Sequence, residues 1–529
     1  MTQSKEELLS PLHAAMLPLR TNALGAPAIL PRHAMGKFKL AGDPALCSMR
    51  KWRWCYMPGN VETFRRVLTA VGMQEIPPLP LDSEGGAPWQ LLWELADEAD
   101  GNDYASHRKL KQAQKINHFP GVRELGNKRY LHKNMASASK HFGDQVYDIF
   151  PVSFTIPGDI VKLQRDTIKN NRTMYILKVA AKDRGEGIKV IAGVQDLKPG
   201  DRGIVQSYVQ YPYLLNGYKF TMRVYVVYTS LAPLRLYIYP EGFVHMATEK
   251  YSPLPKNINN RYMHLTNPDI SKHRDFYRKN PRPFYWSFPE LRDYVRKHGV
   301  SGVVSGDDDA RLWRNIQTLV QKTVLSAEHK LSNYAQKIIE HPESNFELLG
   351  LDVLVDENLK PWLIEVNPDP DMSAHAGFEL AYKVKGKMLS DLMGMLHLTQ
   401  SVESTATQFG TKEFTSKKTK VAKLLLRAAK GKKISTNEVL ESKYLASFSG
   451  TGCNLQLATM ACGVKSMNSA LLIASSELEF EQQGLWQRLI PSSGTSYLGW
   501  FWNIKDSDAI LACWENQVKI CTKKDRSRK

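Results

Sequence analysis

Hydrophobic and polar residues alternate in short runs through the central part of the chain. Between residues 151 and 242 the runs TMYILKVAA, IKVIAG, GIVQSYV, YKFTMRVYVVYTS and LRLYIYP are rich in β-branched and aromatic residues and are separated by turn residues. This pattern is typical of β-strands. In YKFTMRVYVVY the alternation places Lys219, Thr221 and Arg223 on one face of the strand. We therefore predict a β-dominated core with few helices in this part of the chain.

Downstream of this core, two segments carry apolar residues at helical spacing. The first is FPELRDYVRKHG, and the second is RLWRNIQTLVQKTVLSAEHKLSNYAQKII. On the second segment Leu312, Ile316, Leu319, Val320 and Val324 fall on one face, as expected for an amphipathic helix that packs on a core. Both segments are therefore predicted to be helices.

The helices lead into the segment DVLVDENLKPWLIEVN, whose two apolar halves flank polar turn residues. If 352–355 pairs with 362–365, Asp352 lies opposite Glu365, because paired residues of an antiparallel hairpin project to the same face. Asn367 lies two residues further on and shares this face. Three converging oxygen ligands suit Mg²⁺, which takes one or two carboxylates and completes its octahedron with water and phosphate oxygens. The alternative is a register in which the acids face solvent.

Basic residues elsewhere in the core favour phosphate binding. Lys219 and Arg223 could hold phosphates or a substrate carboxylate, with the arginine as a bidentate fork, unless their strand face is solvated. Lys178 precedes the turn RGEG, and a glycine-rich turn lets backbone N–H groups approach phosphates closely. Hairpin turns often hold two glycines for other reasons, so this motif is weak by itself.

The composition is that of a globular protein with a basic excess. The 529-residue chain has a formal net charge of +18 and a pI of about 9.4, which favours acidic partners. Nucleic acid is not predicted as a partner, because no helix-turn-helix, zinc-finger or RRM signature is present. No membrane association is predicted either, since the sequence has no secretory signal and no apolar run of about eighteen residues.

Cysteine usage gives a further expectation about the compartment. The sequence contains no CxxC spacing that would suggest zinc, and the long middle of the chain has no cysteine to form a disulfide framework. A reducing cytosolic compartment fits this distribution. The six cysteines are at positions 47, 55, 453, 462, 513 and 521.

Taken together and in this order, several stretches resemble the tubulin tyrosine ligase-like family of ATP-grasp ligases. The resemblance covers roughly residues 60–396, and its INHFPG and PLRLYIYPEGFVHMATEKYS parts are most similar to the glutamylating members, the tubulin polyglutamylases. The stretches are KINHFPG, YILKVAAKDRGEGIKVI, VQSYV, KFTMRVYVVYTSLAPLRLYIYPEGFVHMATEKYS, HLTN and FELLGLDVLVDENLKPWLIEVN.

The resemblance implies an α+β fold with an ATP-grasp-type ligase core and a basic C-terminal extension. The extension includes SKKTKVAKLLLRAAKGKK (416–433), which resembles the cationic segment beyond the core of autonomous glutamylating members; the alternative is a solvated basic linker. The implied division is a flexible leader (1–48), an N-terminal subdomain (49–126), a central ATP-grasp subdomain (127–210), a C-terminal catalytic subdomain (211–396) and a microtubule-binding extension (397–529).

The resemblance also implies the roles of individual residues at an ATP and Mg²⁺ site. Arg223 and Glu365 match catalytic positions, and the Mg²⁺ ligands are Asp352, Glu365 and Asn367. The positions implied for ATP binding are Lys128, Lys178, Arg184, Gly185, Gly187, Ile188, Gln206, Ser207, Tyr208, Val209, Lys219 and Thr221. The positions implied for substrates are Arg223, His264, Asn267 and Lys385.

The chemistry implied by the resemblance is ATP-dependent addition of glutamate to a protein carboxylate. ATP would phosphorylate a glutamate side chain of tubulin or another acidic protein, and the amine of a free glutamate would attack the acyl phosphate. The expected partners are free glutamate and the acidic C-terminal tails of tubulin in microtubules, with the chain acting as a monomer. The expected location is the cytoplasm and its microtubules, with the basal body of a cilium or flagellum as a further candidate.

Some residues depart from the pattern of the family and leave alternatives open. Thr221 stands where the family usually has Asp, and NPDPDMSAHAG replaces a serine-containing loop, which adds Asp369 and Asp371 beside the proposed metal. A protein glycylase of the same family is one alternative, and a catalytically impaired microtubule-binding pseudo-ligase is the other.

Overall fold

The computed structural model describes most of the chain from residue 114 onwards and a few residues before it. The leader predicted at 1–48 lies outside the described residues, as do Arg184 and Gly185 of the predicted ATP site. The described residues are 63, 66–67, 91–96, 104–108, 110, 114–170, 174–179, 187–300, 302–372, 379–398, 410–432, 434 and 454–526.

The strands are numbered here in chain order. They are β1 Leu91–Leu92, β2 Lys115–Ile116, β3 Ser153–Ile156, β4 Tyr175–Val179, β5 Ile188–Ile191, β6 Gly203–Ser207, β7 Leu214–Leu215, β8 Tyr218–Leu231, β9 Leu234–Met246, β10 Tyr285–Ser287, β11 Glu347–Val355, β12 Pro361–Asn367 and β13 Gln487–Ile490.

The α-helices are numbered in the same way. They are α1 Ala105–Arg108, α2 Arg123–Gly126, α3 Lys128–Phe142, α4 Ile160–Asn170, α5 Arg261–His264, α6 Pro268–Ser271, α7 Asp275–Lys279, α8 Phe288–His298, α9 Asp308–Ile338, α10 Glu379–Met395, α11 Gly410–Ala429, α12 Leu455–Ala461, α13 Met467–Glu481 and α14 Asp506–Arg526.

A seven-stranded antiparallel sheet forms the centre of the molecule. Its strand order is β10-β9-β8-β11-β12, with β13 also paired to β9 and β7 paired to β8. The pairing joins Asp352 to Arg223 on β8 and to Glu365 on β12, so the predicted hairpin and its Asp352–Glu365 pair are confirmed. The register shifts by one residue after Asp352, and Val355 pairs with Pro361 rather than with Trp362 as predicted. The two helices predicted after the β-rich region are α8 and α9.

Helices cover both faces of this sheet. On one face α9 packs Leu319 and Val324 against strand residues such as Val226, and on the other α10 packs Met388 and Leu392 in a second core cluster. A sheet that is buried on both sides needs apolar residues at every strand position rather than at alternate ones. This explains why β8 is buried continuously from Val224 onwards, whereas its first six residues are a mixture of buried and half-buried positions.

A separate four-stranded antiparallel sheet has the order β3-β6-β4-β5. The helix α4 lies between β3 and β4 in the sequence and packs Leu163 against Phe154, Tyr175 and Val205 of this sheet. The short strands β1 and β2 form a third, parallel pair. The four-stranded sheet brings the end of β4 next to β12, as described below, and so forms one wall of a cleft.

The C-terminal part of the described chain is a group of packed helices. The helix α11 contacts α12 and α13, and α14 completes a hydrophobic cluster that contains the fully buried Trp514. A disulfide joins Cys462 to Cys513 in this region, outside the cysteine-free middle of the chain. None of the helices described is long and apolar enough to cross a membrane.

Gly242 on β9 permits close packing next to Arg223. A Cβ at this position would lie 2.3 Å from the Arg223 carbonyl oxygen and 2.6 Å from Cζ of Phe288. The Gly242→Ala variant should therefore lose about 1–3 kcal/mol of unfolding free energy through overpacking, which is measurable as a lower midpoint of thermal unfolding. The matched control is Gly386→Ala within α10, where no heavy atom of the described residues, apart from the backbone of the helix itself, lies within 4 Å of the new Cβ. This variant should be as stable as the wild type or more stable. A Gly242→Ala protein that unfolds at the wild-type temperature would contradict this account of the packing.

Candidate active site

A cleft of about 320 Å³ lies between the four-stranded sheet, the edge of the large sheet at β12, and the start of α3. Charged and amide side chains from all of these elements face it, as expected for a site that binds a charged ligand. Its lining residues are Ala96, Arg123, Gly126, Asn127, Lys128, Leu131, Phe150, Lys178, Ile204, Gln206, Ile364, Glu365, Val366, Asn367, Pro368 and Asp369.

Three charged side chains form a row across the large sheet beside this cleft. Arg223, Asp352 and Glu365 are register partners on the adjacent strands β8, β11 and β12. The Arg223 guanidinium donates to both oxygens of Asp352, with Nε–Oδ1 at 2.6 Å and Nη2–Oδ2 at 3.2 Å. This bidentate pair balances one of the two carboxylates.

The second carboxylate, Glu365, carries a negative charge that Arg223 does not balance. Burial raises the pKa of Asp352 to about 6, and the repulsion of Glu365 adds to the rise although Arg223 opposes it. Burial also disfavours the charge on Glu365, but Lys128 and Lys178 outweigh it and lower its pKa. Two adjacent carboxylates with opposed pKa shifts are an arrangement that a bound cation would relieve.

Asn367 supplies an amide next to these carboxylates. Its Nδ2 donates to the Gly350 carbonyl at 3.2 Å, which fixes the amide so that Oδ1 is the atom able to coordinate a cation. Two carboxylates and an amide oxygen fit Mg²⁺, which usually keeps several water or phosphate ligands. Among the described residues no group of three or more His, Cys, Asp or Glu side chains is placed to hold a metal.

Lys178 bridges the two sheets at the floor of the cleft. Its Nζ donates to Gln206 Oε1 at 2.9 Å and to the Ile364 carbonyl at 2.8 Å, and only 5% of the residue is exposed. Burial lowers the pKa of Lys178 to about 8, although Glu365 opposes this shift. A buried lysine held in this way presents a positive charge to the cleft and ties β4 to the strand that carries Glu365.

The N-terminus of α3 points two further groups at the cleft. Asn127 caps the helix by accepting from the backbone N–H groups of Arg129 and Tyr130, and Lys128 is the first helical residue and lines the cleft. Exposed N–H groups and the helix dipole favour an anion at such a position. Arg123 of α2 also lines the cleft, a position that the sequence analysis did not select.

Lys219 belongs to a buried chain of hydrogen bonds. Its Nζ donates to the Tyr208 hydroxyl at 2.8 Å, this hydroxyl donates to Nδ1 of His264 at 2.8 Å, and Nε2 of His264 donates to the Asn257 carbonyl at 3.0 Å. Burial lowers the pKa of Lys219 to about 7 and that of His264 to about 4. His264 therefore orients Tyr208 and Lys219 as a neutral ring, and the substrate role predicted for it stays a prediction.

Two other predicted residues also have structural partners. The Asn267 side chain accepts from the Asp269 N–H at 2.8 Å and caps α6. The Thr221 hydroxyl is hydrogen-bonded to that of Thr266 at 2.7 Å, so this departure from the family pattern replaces a charge by a neutral pair. The substrate role of Asn267 and the nucleotide role of Thr221 stay predictions.

The segment 206–209 lies at the inner end of the cleft, where β6 ends. Gln206 faces the cleft, while Ser207 and Tyr208 are buried. The N–H groups of Ser207 and Tyr208 already donate to Val152 and Met174 carbonyls. A nucleotide base would therefore be bound by other backbone atoms of this segment, such as its carbonyls and the N–H of Val209.

The predicted Gly187 has a positive φ of 69°, which suits the turn before β5, and Ile188 begins that strand opposite Lys178.

A second ionic contact joins the predicted substrate residue Lys385 to Asp371. Lys385 of α10 is 5% exposed, and its Nζ is 3.4 Å from Oδ2 of Asp371. Burial lowers the pKa of Lys385, with Asp371 opposing and Arg223 adding to the shift. The cleft-lining residues include neither Lys385 nor Arg223. These two cations form a separate group of buried charged side chains, which is called the cationic pocket below.

A group of contacts around the buried His118 joins the N-terminal segment to the loop after β12. These contacts were not predicted from the sequence. Nδ1 of His118 is 2.8 Å from Glu347 Oε1, and its Nε2 is 3.3 Å from Asp369 Oδ1. Burial opposes the charge on His118, but Glu347 and Asp369 outweigh it and raise its pKa well above the ordinary value. Asp369 also accepts from the Ala96 N–H at 3.2 Å. The available signals were the INHFPG motif and the unusual Asp369, but nothing in their spacing joins them.

These observations define a mixed helix-and-sheet enzyme-like core with an anion-binding cleft beside paired carboxylates, an ATP-grasp-like arrangement. Residues 106–405 match the Tubulin-tyrosine ligase family. The chain belongs to this family, and the resemblance noted from its motifs is confirmed.

Several curated relatives are similar to the chain over part of their length. The tubulin monoglutamylase TTLL4 of Homo sapiens is 31% identical over 431 residues, which cover 78% of this chain and 34% of that protein. The tubulin polyglutamylase TTLL5 of Mus musculus is 33% identical over 339 residues (62% and 24%), and the tubulin polyglutamylase TTLL6 of Mus musculus is 35% identical over 323 residues (59% and 37%). The chain thus spans about a quarter to somewhat more than a third of these relatives.

The buried lysines predict that polyphosphate binding takes up protons. At pH 8 Lys219 and Lys178, with pKa values near 7 and 8, are partly neutral in the free protein, and nearby phosphates would favour their charged forms. Binding of Mg·ATP at pH 8 should therefore consume about one proton, measured by calorimetry in buffers of different ionisation enthalpy, and the uptake should fall as the pH is lowered to 6. Lys219→Met should reduce the uptake, whereas Lys162→Met on the exposed face of α4 should not. Binding without proton uptake at pH 8 would show that these lysines are already charged.

Proposed function

We propose that the chain is an ATP- and Mg²⁺-dependent ligase that adds glutamate to glutamate side chains of tubulin or another acidic protein. The observation that carries the proposal is the row Arg223, Asp352 and Glu365 beside a cleft whose floor is Lys178. Family membership supports the class of reaction. The names of the relatives, mono- and polyglutamylases, favour glutamate over glycine as the added amino acid.

In this proposal each part of the site has a separate task. Lys128 and Lys178 hold the ATP phosphates in the cleft, and Asp352, Glu365 and Asn367 hold Mg²⁺. When bound, Mg²⁺ neutralises charge that develops during phosphoryl transfer. Arg223 and Lys385 receive carboxylates of the free amino acid, because these two cations lie beside the row of acids and outside the cleft.

The reaction proceeds in two steps and needs no nucleophilic side chain. A substrate carboxylate oxygen attacks the terminal phosphorus of ATP, and ADP leaves, which gives an acyl phosphate. The amine of free glutamate then attacks the acyl carbon, a C–N bond forms, the C–O bond to phosphate breaks, and phosphate and a proton are released. Preorganised charges at fixed positions supply the catalysis by orientation and electrostatic stabilisation.

The alternative of a catalytically impaired pseudo-ligase has less support. Thr221 is paired to Thr266 and leaves no unbalanced charge, while the candidate metal ligands and the lysines of the cleft are present and converge. We therefore regard the departures from the family pattern as affecting substrate preference. The subdomain boundaries given above, a monomeric state, and a location on microtubules, including those of basal bodies, are part of the same proposal.

The function is tested by incubating the purified chain with tubulin, ATP, Mg²⁺ and labelled glutamate or glycine, followed by mass spectrometry of the tubulin tails. We expect glutamate to be incorporated. Glu365→Gln should reduce incorporation at least about a hundredfold, because it removes a charge that holds the metal, while microtubule co-sedimentation is unchanged. Retained activity in Glu365→Gln would exclude the metal role, and incorporation of glycine alone would favour the glycylase.

The basic helix α11 is proposed to hold the acidic microtubule surface, and its lysines fall into two groups. Lys417 and Lys418 are already paired with Glu481 and Glu343, at 2.9 and 2.6 Å. Lys423, with Lys430 and Lys432 just after the helix, is exposed and makes no ion pair with any described residue. The second group is therefore the one available to an acidic partner.

Replacing Lys423, Lys430 and Lys432 by Gln should weaken microtubule co-sedimentation on the order of tenfold at low ionic strength and reduce its salt dependence. The double replacement of Lys417 and Lys418 by Gln is the matched control, and we expect it to lower the thermal unfolding midpoint with a smaller effect on co-sedimentation. ATP binding should be unchanged in the triple variant. Equal loss of co-sedimentation in the two variants would contradict the assignment of the exposed group.

A further inference from the structure

The loop after β12 is pressed against the sheet next to Arg223. A Cβ on Gly350 would lie 3.0 Å from Pro370 Cβ and 3.0 Å from Arg223 Cδ, so the glycine makes room for both. Asp369 fastens the start of this loop through the Ala96 N–H and His118. Asp371 follows two residues later and is directed by this anchoring towards the pocket around Arg223 and Lys385.

Every charge of this pocket that the described residues supply has an internal partner. The Arg223 guanidinium is bound by Asp352, and the Lys385 ammonium is 3.4 Å from Asp371. His245 is neutral, because burial, Arg223 and Lys385 together lower its pKa to about 3. The aromatic ring of Phe243 is also within 5.7 Å of the Lys385 ammonium. A carboxylate that enters the pocket therefore meets cations that are already neutralised.

The two internal carboxylates differ in how easily they can leave. Asp352 lies on the central strand β11 and makes a short bidentate contact with Arg223. Asp371 lies on a loop, its side chain is 52% exposed, and its contact with Lys385 is longer. When Asp371 turns away from Lys385, water can hydrate its carboxylate. A carboxylate held within the sheet, such as that of Asp352, cannot be hydrated in this way.

From this arrangement we infer that Asp371 is a built-in competitor for the carboxylate of the incoming amino acid. In the absence of the amino acid, Asp371 neutralises Lys385. A carboxylate of free glutamate displaces it, and Asp371 turns towards solvent. The residue thus lowers the affinity of the site for its amino acid and sets the concentration at which the amino-acid pocket fills. This inference rests on the proposed function, because it takes the Arg223 and Lys385 pocket to be the amino-acid site.

The Asp371→Asn variant tests the inference because it keeps the size of the side chain and removes the charge. We expect the KM for glutamate to fall about two- to fivefold, the range that a half-exposed ion pair supports. The value of kcat and the KM for ATP should change less than about twofold. Asp293→Asn is the matched control: it removes an exposed carboxylate from a lysine pair on α8, with Lys297 Nζ at 2.7 Å, and should leave both KM values unchanged.

Direct binding gives a second measurement that does not depend on turnover. Calorimetric titration of glutamate into the protein with Mg²⁺ and a non-hydrolysable ATP analogue should give a Kd that is lower in Asp371→Asn by the same factor. An unchanged or higher Kd overturns the inference, and a higher Kd would mean that Asp371 binds the ammonium group of the amino acid. Absence of glutamate binding in both proteins also overturns it.

The two measurements separate failure of this inference from failure of the proposed function. If the wild type ligates glutamate and Asp371→Asn has wild-type KM and Kd values, the function stands and the role of Asp371 is wrong. If the wild type ligates no amino acid while glutamate binding tightens in Asp371→Asn, the ligase function fails and the role of Asp371 stands.

Discussion

The structure depends on placing two neighbouring carboxylates inside a sheet that is covered on both faces. Isolated buried charges are costly, and such groups persist only when each has a partner. Arg223 supplies one partner from the adjacent strand, while Lys178 and Lys128 face Glu365 from the other sheet and from a helix N-terminus. The four-stranded sheet is thus connected to the large sheet by electrostatics as well as by Lys178 bonding to the Ile364 carbonyl. The fold and the candidate active site share the same contacts.

Because the contacts of the site also hold the fold together, its lysines are buried, and burial shifts their pKa values. A fully hydrated lysine would carry its charge at any neutral pH, but Lys219 and Lys178 lie where desolvation brings their pKa values close to 7 and 8. Neighbouring hydrogen bonds then fix their positions: Tyr208 and His264 orient Lys219, and Gln206 orients Lys178. A phosphate that enters the cleft completes a set of partners that is already in place, so little reorganisation is required on binding.

The sequence predicted those parts of the site that follow from local periodicity. The pairing of Asp352 with Glu365 and the shared face of Lys219 and Arg223 both follow from the period-2 geometry of strands, and the register in the structure agrees. Contacts between distant segments could not be derived in this way. His118 meets Asp369 across some 250 residues, and Tyr208 meets His264 through a loop whose path no pattern specifies.

Capping and pairing also changed the meaning of single residues. Asn267 is predicted to contact a substrate, and its side chain also caps α6. The lysines of α11 look equivalent in the sequence, but two of them are paired with acids of other segments. For the α11 lysines, partners that are remote in the chain separate a structural role from a binding role, and only the tertiary structure supplies those partners.

The basic residues that give the chain its net positive charge are therefore not equally available to an acidic partner. Within the amino-acid pocket the described cations are balanced by Asp352 and Asp371, so the basic excess does not act there as an unscreened field. The unpaired lysines at the end of α11 lie in a separate helical unit, where no internal carboxylate of the described chain reduces their attraction for an acidic surface. In the proposed function, attraction of a polyanionic partner and selection of a small amino acid are assigned to different groups. Replacing an acid in the pocket should change the second property without changing the first, because the two sets of charges share no ion pair among the described residues.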